Sequence, residues 1–371
     1  MTHMFVPVVD QERRPLMPTT PARARRWIKT AKATAFWKGG IFCVRLNIEP
    51  KAREHQRIAV GIDPGSKKEA LVVASAAHTY LNIQADARTG VKKAEKQSTQ
   101  MRLTRRGRNT PHRKQRQNRK HSKNKVPPST KARWQWKLRL VSWLCQLFPV
   151  SIFAVEDVKA TTHQGKRRWN RYFSPLQVGK LWFYEELGKL APVWSMQGFQ
   201  TKELRDELGL KKTSNKTAEV WQAHCVDAWV LAYAVIGGCR TPDNTRLVCI
   251  TPLIWHRRQL HKLQPAKGGK RRREGGTLSL GIKRGTLVKH PRWGMAYVGG
   301  TMNGKLSLHE PGTGRRITQS ANVSDCTLIK LLRWRTRIVP YRKAPVSSVS
   351  SKEGTPVFSR VGMGISAGAN W

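Results

Sequence analysis

Apolar and polar positions change period several times along this chain, and each change marks an element. Phe5 to Val9 is a short apolar run that reads as a strand. Pro15-Leu16-Met17-Pro18 reads as a stiff extended connector, because proline fixes φ and restricts its predecessor. Pro21 then opens a helix over Ala22 to Ala31, and Ile41 to Ile48 reads as a closing strand. From Arg57 the pattern becomes strand, turn, strand: Ile58 to Ile62 and Glu69 to Ser75 flank Pro64-Gly65-Ser66-Lys67-Lys68, and Thr79 to Ala85 can add a third strand. Trp136, Leu140, Trp143, Leu144 and Leu147 recur at helical spacing within Trp134 to Phe148, and Ser151 to Val155 is a buried strand.

Further on, Phe173 to Leu190 reads as a helix and Ser195 to Phe199 as a strand. Thr217 to Ile236 is a strong helix that stops at Gly237-Gly238, and Arg246 to Thr251 is another strand. Gly281 to Val339 alternates short strands with glycines, the pattern of a small β-barrel. Beyond residue 340 the Ser, Gly and Pro content without periodicity predicts a disordered tail.

Charge changes the picture more than any other bulk property. The 371 residues carry 70 Lys+Arg against 22 Asp+Glu, a formal net charge of +48. Self-repulsion on that scale calls for a polyanion, and nucleic acid fits because each neutralised phosphate releases a counterion. Residues 88 to 133 are almost purely basic, with Pro111 breaking any upstream helix, so a short helix followed by an extended basic arm is expected. The six cysteines show no Cys-x-x-Cys spacing, which predicts neither a zinc site nor a disulfide framework. The N-terminal residues show no signal-peptide pattern and no apolar run reaches the roughly 18 residues of a membrane span, so a cytoplasmic, membrane-free protein is expected.

Four residues carry candidate chemistry. Asp63 ends the strand in Val60-Gly61-Ile62-Asp63-Pro64-Gly65, and Glu156 ends the strand in Ile152-Phe153-Ala154-Val155. His224 and Asp227 form a His-x-x-Asp pair on one helix face. Two-metal phosphodiester hydrolysis needs a carboxylate that bridges two divalent ions about 4 Å apart, with further oxygen ligands around it. Each residue also has a plain structural reading. Asp63 can start a turn, Glu156-Asp157 can be ordinary strand-end acids, and His224 with Asp227 can be a satisfied core pair. In a chain with only 22 acids, their order along the alternating strands and helix favours the catalytic reading.

The motifs together resemble the IscB and IsrB proteins, transposon-associated, RNA-guided relatives of the CRISPR nucleases. Pro15-Leu16-Met17-Pro18 with Pro21-Ala22-Arg23-Ala24-Arg25 resembles their N-terminal PLMP element. Val60 to Gly65, Val155-Glu156 and His224-Cys225-Val226-Asp227-Ala228 look like the three RuvC motifs. Arg102 to Arg113 looks like the arginine-rich bridge helix, although Leu103 replaces an arginine and Pro111 falls late in it. Gln259 to Gly276 resembles the segment that follows RuvC. The interval from Asp157 to Ala223 holds a single histidine, His163, and no cysteine, too little for the HNH module of IscB, so the pattern is nearer IsrB.

The resemblance implies an α/β, RNase H-like (RuvC) core split in sequence. It places a PLMP unit at 1–56, RuvC parts at 57–87, 126–160 and 161–254, and the bridge helix with its arm at 88–125. A basic segment follows at 255–280, then a β domain at 281–340 that contacts the motif flanking the target, then the tail at 341–371. It implies a nickase that cuts the displaced strand of a double-stranded target DNA, guided by a structured noncoding (omega) RNA and working as a protein monomer within the ribonucleoprotein. Asp63, Glu156, His224 and Asp227 would hold two Mg2+ ions, with Mn2+ as a possible substitute, and His224 is either a ligand or the base. Arg23, Arg25, Arg26, Arg102, Arg105, Arg106, Arg108, Arg113, Arg271, Arg272, Arg273, Lys283, Arg284 and Arg292 would contact nucleic acid. The alternatives are an unguided structure-specific RuvC-like resolvase and a non-catalytic guide-RNA-binding protein.

Overall fold

The computed structural model describes residues 4–50, 52–88, 90–107, 126, 128–157, 179–253 and 278–339. Its centre is a seven-stranded mixed sheet. The strands are β5 (Ile58–Asp63), β6 (Lys68–Ser75), β7 (Thr79–Asp86), β8 (Val150–Asp157), β9 (Val193–Gln197), β10 (Leu247–Pro252) and β18 (Trp334–Ile338), in the order β18-β10-β7-β6-β5-β8-β9. β5, β6 and β7 form an antiparallel meander, while β8 runs parallel to β5 and β9 parallel to β8. This inner order, with only the second strand reversed against its neighbours, the first and third, is the RNase H-like arrangement expected from the motifs.

Side chains alternate across the sheet, and the two faces differ in size. Ile58, Val60, Ile62, Leu71, Val73, Phe153 and Val155 pack into one core under α3 (Pro128–Leu144) and α4 (Lys180–Gly188). The opposite face offers Ala59, Ala70, Val72 and Ala74 to α6 (Trp221–Ile236). The small residues let this helix come close. A Cβ at Gly61 would lie 1.7 Å from the Ala228 carbonyl oxygen, so only glycine fits there. Two indole donors fix the helix on β7: Trp221 Nε1 donates to Asn82 Oδ1 at 3.0 Å and Trp229 Nε1 to Thr79 Oγ1 at 2.9 Å. The helix ends at Gly237, whose φ of +65° is left-handed and whose N–H donates to the Tyr233 carbonyl.

The N-terminal unit is a four-stranded sheet, β2-β1-β4-β3, with α1 (Pro21–Lys29) on one face. Its strands are β1 (Val6–Val9), β2 (Pro15–Thr19), β3 (Ala33–Lys38) and β4 (Ile41–Leu46). The Pro15–Pro18 segment is therefore not merely a connector: it is an edge strand paired antiparallel to β1, a place where proline is tolerated. The basic helix α2 (Val91–Arg106) is longer than the short helix expected, and the arm that follows lies outside the described residues. Of the expected helix over Phe173 to Leu190, the described part is Lys180–Gly188. Two elements were not anticipated, β3 and α5 (Gly198–Glu207).

The C-terminal β region also differs from expectation. β13 (Thr286–His290), β14 (Gly294–Met302), β15 (Lys305–His309), β16 (Arg316–Ala321) and β17 (Thr327–Leu331) form an antiparallel sheet in the order β16-β15-β14-β13-β17. Among the described residues no pairing closes β16 on β17, so the sheet is open rather than a barrel. A short ribbon of β11 (Leu278–Ser279) and β12 (Ile282–Lys283) precedes it. β18 leaves this region altogether and pairs antiparallel with β10 in the central sheet. There Trp334 packs edge-on against Trp136 and Trp143, and its Nε1 donates to the Gly39 carbonyl at 3.1 Å. No described helix is long and apolar enough to cross a membrane.

Candidate functional site

The site is built by register. Ile62 on β5 is level with Val155 on the parallel β8, so the next residues, Asp63 and Glu156, lie side by side at the strand ends. Strand alternation puts both on the α6 face, with Ala59 and Gly61 preceding one and Ile152 and Ala154 the other. α6 then delivers His224 above Asp63, with Nδ1 at 3.9 Å from Asp63 Oδ2. His224 Nε2 is 2.9 Å from the Lys216 carbonyl, an acceptor, so Nε2 carries a proton and Nδ1 is the nitrogen that faces the carboxylates. The close packing at Gly61 sets the height of α6 over this cluster, so the fold and the site share one steric requirement.

Electrostatics separates the acids. Burial pushes the Glu156 carboxyl up to about 8, and the neighbouring acids Asp63 and Asp227 push the same way. Only the Lys212 ammonium opposes this. Glu156 is half-buried and lies against the first residue of α5: a Cβ on Gly198 would be 3.2 Å from its Oε1. The His224 imidazole is raised above its ordinary value, first by the Asp63 carboxylate that faces Nδ1, then against burial, with help from the Lys216 carbonyl. Asp157, one residue on, turns to the other side. Burial works upward on it but is outweighed by the Lys180 ammonium, Gln197 and Tyr184, which hold it below the usual carboxylate range. Asp157 is a structural acid, and Glu156 is the one aimed at the site.

Asp227 is buried and doubly engaged. Arg205 Nη1 on α5 reaches its Oδ1 at 2.8 Å, and Lys212 Nζ, in the loop after α5, bonds Oδ2. Neither cation was foreseen as part of the site. Among the described residues no group of three or more His, Cys, Asp or Glu side chains is gathered to hold a metal ion. The structure sets Asp63 beside Glu156, with His224 Nδ1 3.9 Å from Asp63, and holds Asp227 on two cations rather than in one ligand cluster with them.

The donors present fit a hard divalent cation at the Asp63–Glu156 pair. The Glu156 carboxyl is pushed up by burial and by the acids beside it, which marks a place where positive charge is wanted. The oxygen-rich chemistry suits Mg2+ or Mn2+. Asp227 can join only by exchanging its ammonium partner.

The expected nucleic-acid residues fall in several places. Arg23, Arg25 and Arg26 are exposed on α1, with Arg23 over the Trp27 ring at 5.9 Å. Arg102 is exposed on α2, and Arg105 and Arg106 end that helix. Lys283 and Arg292 are exposed in the C-terminal region, and the half-buried Arg284 donates from Nε to Ser279 Oγ at 3.2 Å. Arg108, Arg113, Arg271, Arg272 and Arg273 lie outside the described residues.

A family model described as RRXRR protein matches residues 6–170. That stretch takes in the N-terminal unit, β5 to β8 and the basic helix between them. Comparison with curated proteins gave no match. Among solved structures, the chain is similar to RuvC of Thermus thermophilus in complex with a Holliday junction substrate, at 17% identity and a TM-score of 0.28 over 49% of this chain and 97% of that one. It is also similar to a second Thermus thermophilus RuvC structure, at 15% identity and a TM-score of 0.27 over 48% and 96%. At such values the functional reading stands on the topology and the site geometry.

Proposed function

We propose that this chain is a RuvC-type, divalent-metal-dependent DNA endonuclease whose cutting site is Asp63, Glu156, His224 and Asp227. The observation that carries the reading is the register that sets Asp63 beside Glu156 on the face covered by α6, with His224 Nδ1 above them. Asp63 and Glu156 would hold the cations. When bound, such ions activate water and stabilise charge on the scissile phosphate. His224 keeps Nδ1 turned to the site because Nε2 is committed to the Lys216 carbonyl, so Nδ1 can take a proton from water or serve as a further ligand. Arg205 orients Asp227, and Lys212 adds positive charge where a phosphate would arrive.

The finer reading is an RNA-guided nickase. It is supported by the net charge of +48, far beyond what a compact enzyme tolerates without a polyanion, and by the long basic helix α2, which packs on α3. In guided enzymes base pairing reads the sequence while the protein grips backbone and shape. Restriction to one strand is supported by the interval 157–223. Its described part supplies α4 and β9 to the core under α3 and α5 to the core under α6, and the whole interval contains a single histidine.

The test is cleavage of a duplex labelled on both strands, by protein purified with its copurifying RNA, in Mg2+. One strand should be nicked. Asp63→Ala should lower the rate at least about a thousandfold, the scale of lost electrostatic stabilisation, with duplex binding intact. Cutting of both strands would overturn the nickase reading. Equal cutting without RNA would move the assignment to an unguided, structure-specific nuclease.

A further inference from the structure

The N-terminal sheet has a second functional-looking feature on the face away from α1. Cross-strand pairing places Thr34 beside Arg45, Phe36 beside Cys43 and Lys38 beside Ile41, and Val9 is level with Arg45 on the adjoining strand. With Arg13 from the β1–β2 turn and Trp37 at the rim, these residues line a cleft of about 330 Å3. Three of the lining side chains, Arg13, Lys38 and Arg45, are cationic, and no lining residue is acidic.

Among the described residues, no hydrogen bond or ion pair engages the side chains of these three cations. The nearby acids are spent elsewhere. Asp10 bonds Arg14 and Arg53, at 2.8 Å each, and Glu12 bonds Arg14 at 2.9 Å. Lys38 is held below its usual range by burial, with Arg13 and Arg333 adding like-charge pressure that only the Cys43 thiol opposes. Arg13 also takes a left-handed φ of +65°, a strained choice for a non-glycine residue, and by it reaches the cleft rim. Lys38 and Arg45 are half-buried and Arg13 is exposed at the rim, and half-buried like charges without a counterion are costly and call for an anion. The apolar floor of Val9 and Phe36 adds a surface on which a planar ring can rest.

We propose that this cleft binds one nucleotide unit of a single nucleic-acid strand, with the backbone phosphate on Arg13, Lys38 and Arg45 and the base against Phe36. A phosphodiester supplies the anion that these cations lack, and base stacking on an aromatic ring is indifferent to sequence, as suits a positioning contact. The cleft has the volume of a small-ligand site. It is separate from the nuclease site, so this proposal stands whether or not that reading does.

The test uses the full chain, stripped of nucleic acid in high salt, with ten-residue 4-thiothymidine DNA and 4-thiouridine RNA strands. Photocrosslinking should give adducts between residues 34 and 45, and the strand that gives more identifies which nucleic acid the cleft holds. The triple variant Arg13→Gly, Lys38→Gln, Arg45→Gln should lose those adducts. Its slope of log affinity against log salt should fall by about 0.7, the value for the loss of one phosphate contact on a single strand. Glycine at position 13 suits the left-handed backbone, so folding is preserved there. A control that removes the same charge at exposed Lys32, Lys202 and Lys305 should keep the adducts. Absence of wild-type adducts in this segment overturns the proposal even if the triple variant fails to fold, and so does an equal slope change in both variants.

Discussion

Two glutamates lie on opposite faces of the central sheet, and their surroundings show what kind of site each makes. Glu69 on β6 points to the α3 face and meets Lys137 Nζ at 2.9 Å, with both side chains almost wholly buried. Glu156 on β8 points to the α6 face and meets Asp63, with Asp227 beyond. Burial pushes both carboxyls up, Glu69 to about 7 and Glu156 to about 8. For Glu69 the protein supplies its own counterion. For Glu156 the nearest neighbours are further acids, which a folding requirement alone would select against. A buried acid with a matched base is architecture, and one gathered with other acids is a place for a cation from outside.

The largest effect that can break this comparison is at Lys137. Lys137→Met strands Glu69 in a dry core and should destabilise the protein by about 3 kcal/mol or more, read as a drop in the denaturation midpoint. Glu156→Gln should do the opposite in metal-free buffer above about pH 8, where Glu156 is charged, and raise the melting temperature slightly because a repelling charge is removed. If both substitutions destabilise alike, the two acids are the same kind of site. Next is Gly61→Ala, whose new methyl would collide with the Ala228 carbonyl. It should cost about 1–3 kcal/mol by lifting α6, and it should lower cleavage as well because α6 carries His224 and Asp227. A stability loss with cleavage unchanged would show that the height of α6 does not matter to the site.

Much of this contrast is legible in the sequence. Alternation along Ile58 to Asp63 and along Ile152 to Glu156 predicts that both acids share a face with the small residues. It also puts Glu69 with Leu71 and Val73 on the other. Arg205 and Lys212 were not legible, because they reach Asp227 from a helix and a loop whose placement depends on tertiary packing. α5 starts at a glycine directly after a strand, without the Ser, Thr, Asp or Asn that marks most helix starts. β18 reads as one more strand of the C-terminal region, and nothing in its alternation names β10 as its partner. The expected barrel stays open for the same reason, since its final strand is used elsewhere. The cationic cleft draws its residues from three strands and a turn, so no contiguous motif announces it.

A smaller effect should appear at Lys212, whose ammonium occupies one oxygen of Asp227. Lys212→Met should tighten Mn2+ binding about tenfold in calorimetry by releasing that oxygen, and an unchanged affinity would mean that Asp227 takes no part in holding the ion. The smallest effect is on pH dependence. The Glu69 carboxyl is raised in the folded protein, so its contribution to stability is complete below the ordinary carboxylate value near 4.5 and is lost as pH rises through about 7. The melting temperature should therefore decline between about pH 5 and pH 7, and Glu69→Gln should flatten that decline. An unaltered slope would show that Lys137 keeps Glu69 ionised throughout.

The central claim is that the acids on the α6 face form a divalent-metal site and the acid on the α3 face does not. Thermal melting of the metal-free protein with and without millimolar Mn2+ tests it most directly. Ligand binding to the folded state raises stability in proportion to RT ln(1 + [L]/Kd). The wild-type protein and Glu69→Gln should both gain several degrees with Mn2+, while Asp63→Ala and Glu156→Gln should gain nothing. Equal gains in all four proteins would contradict the claim.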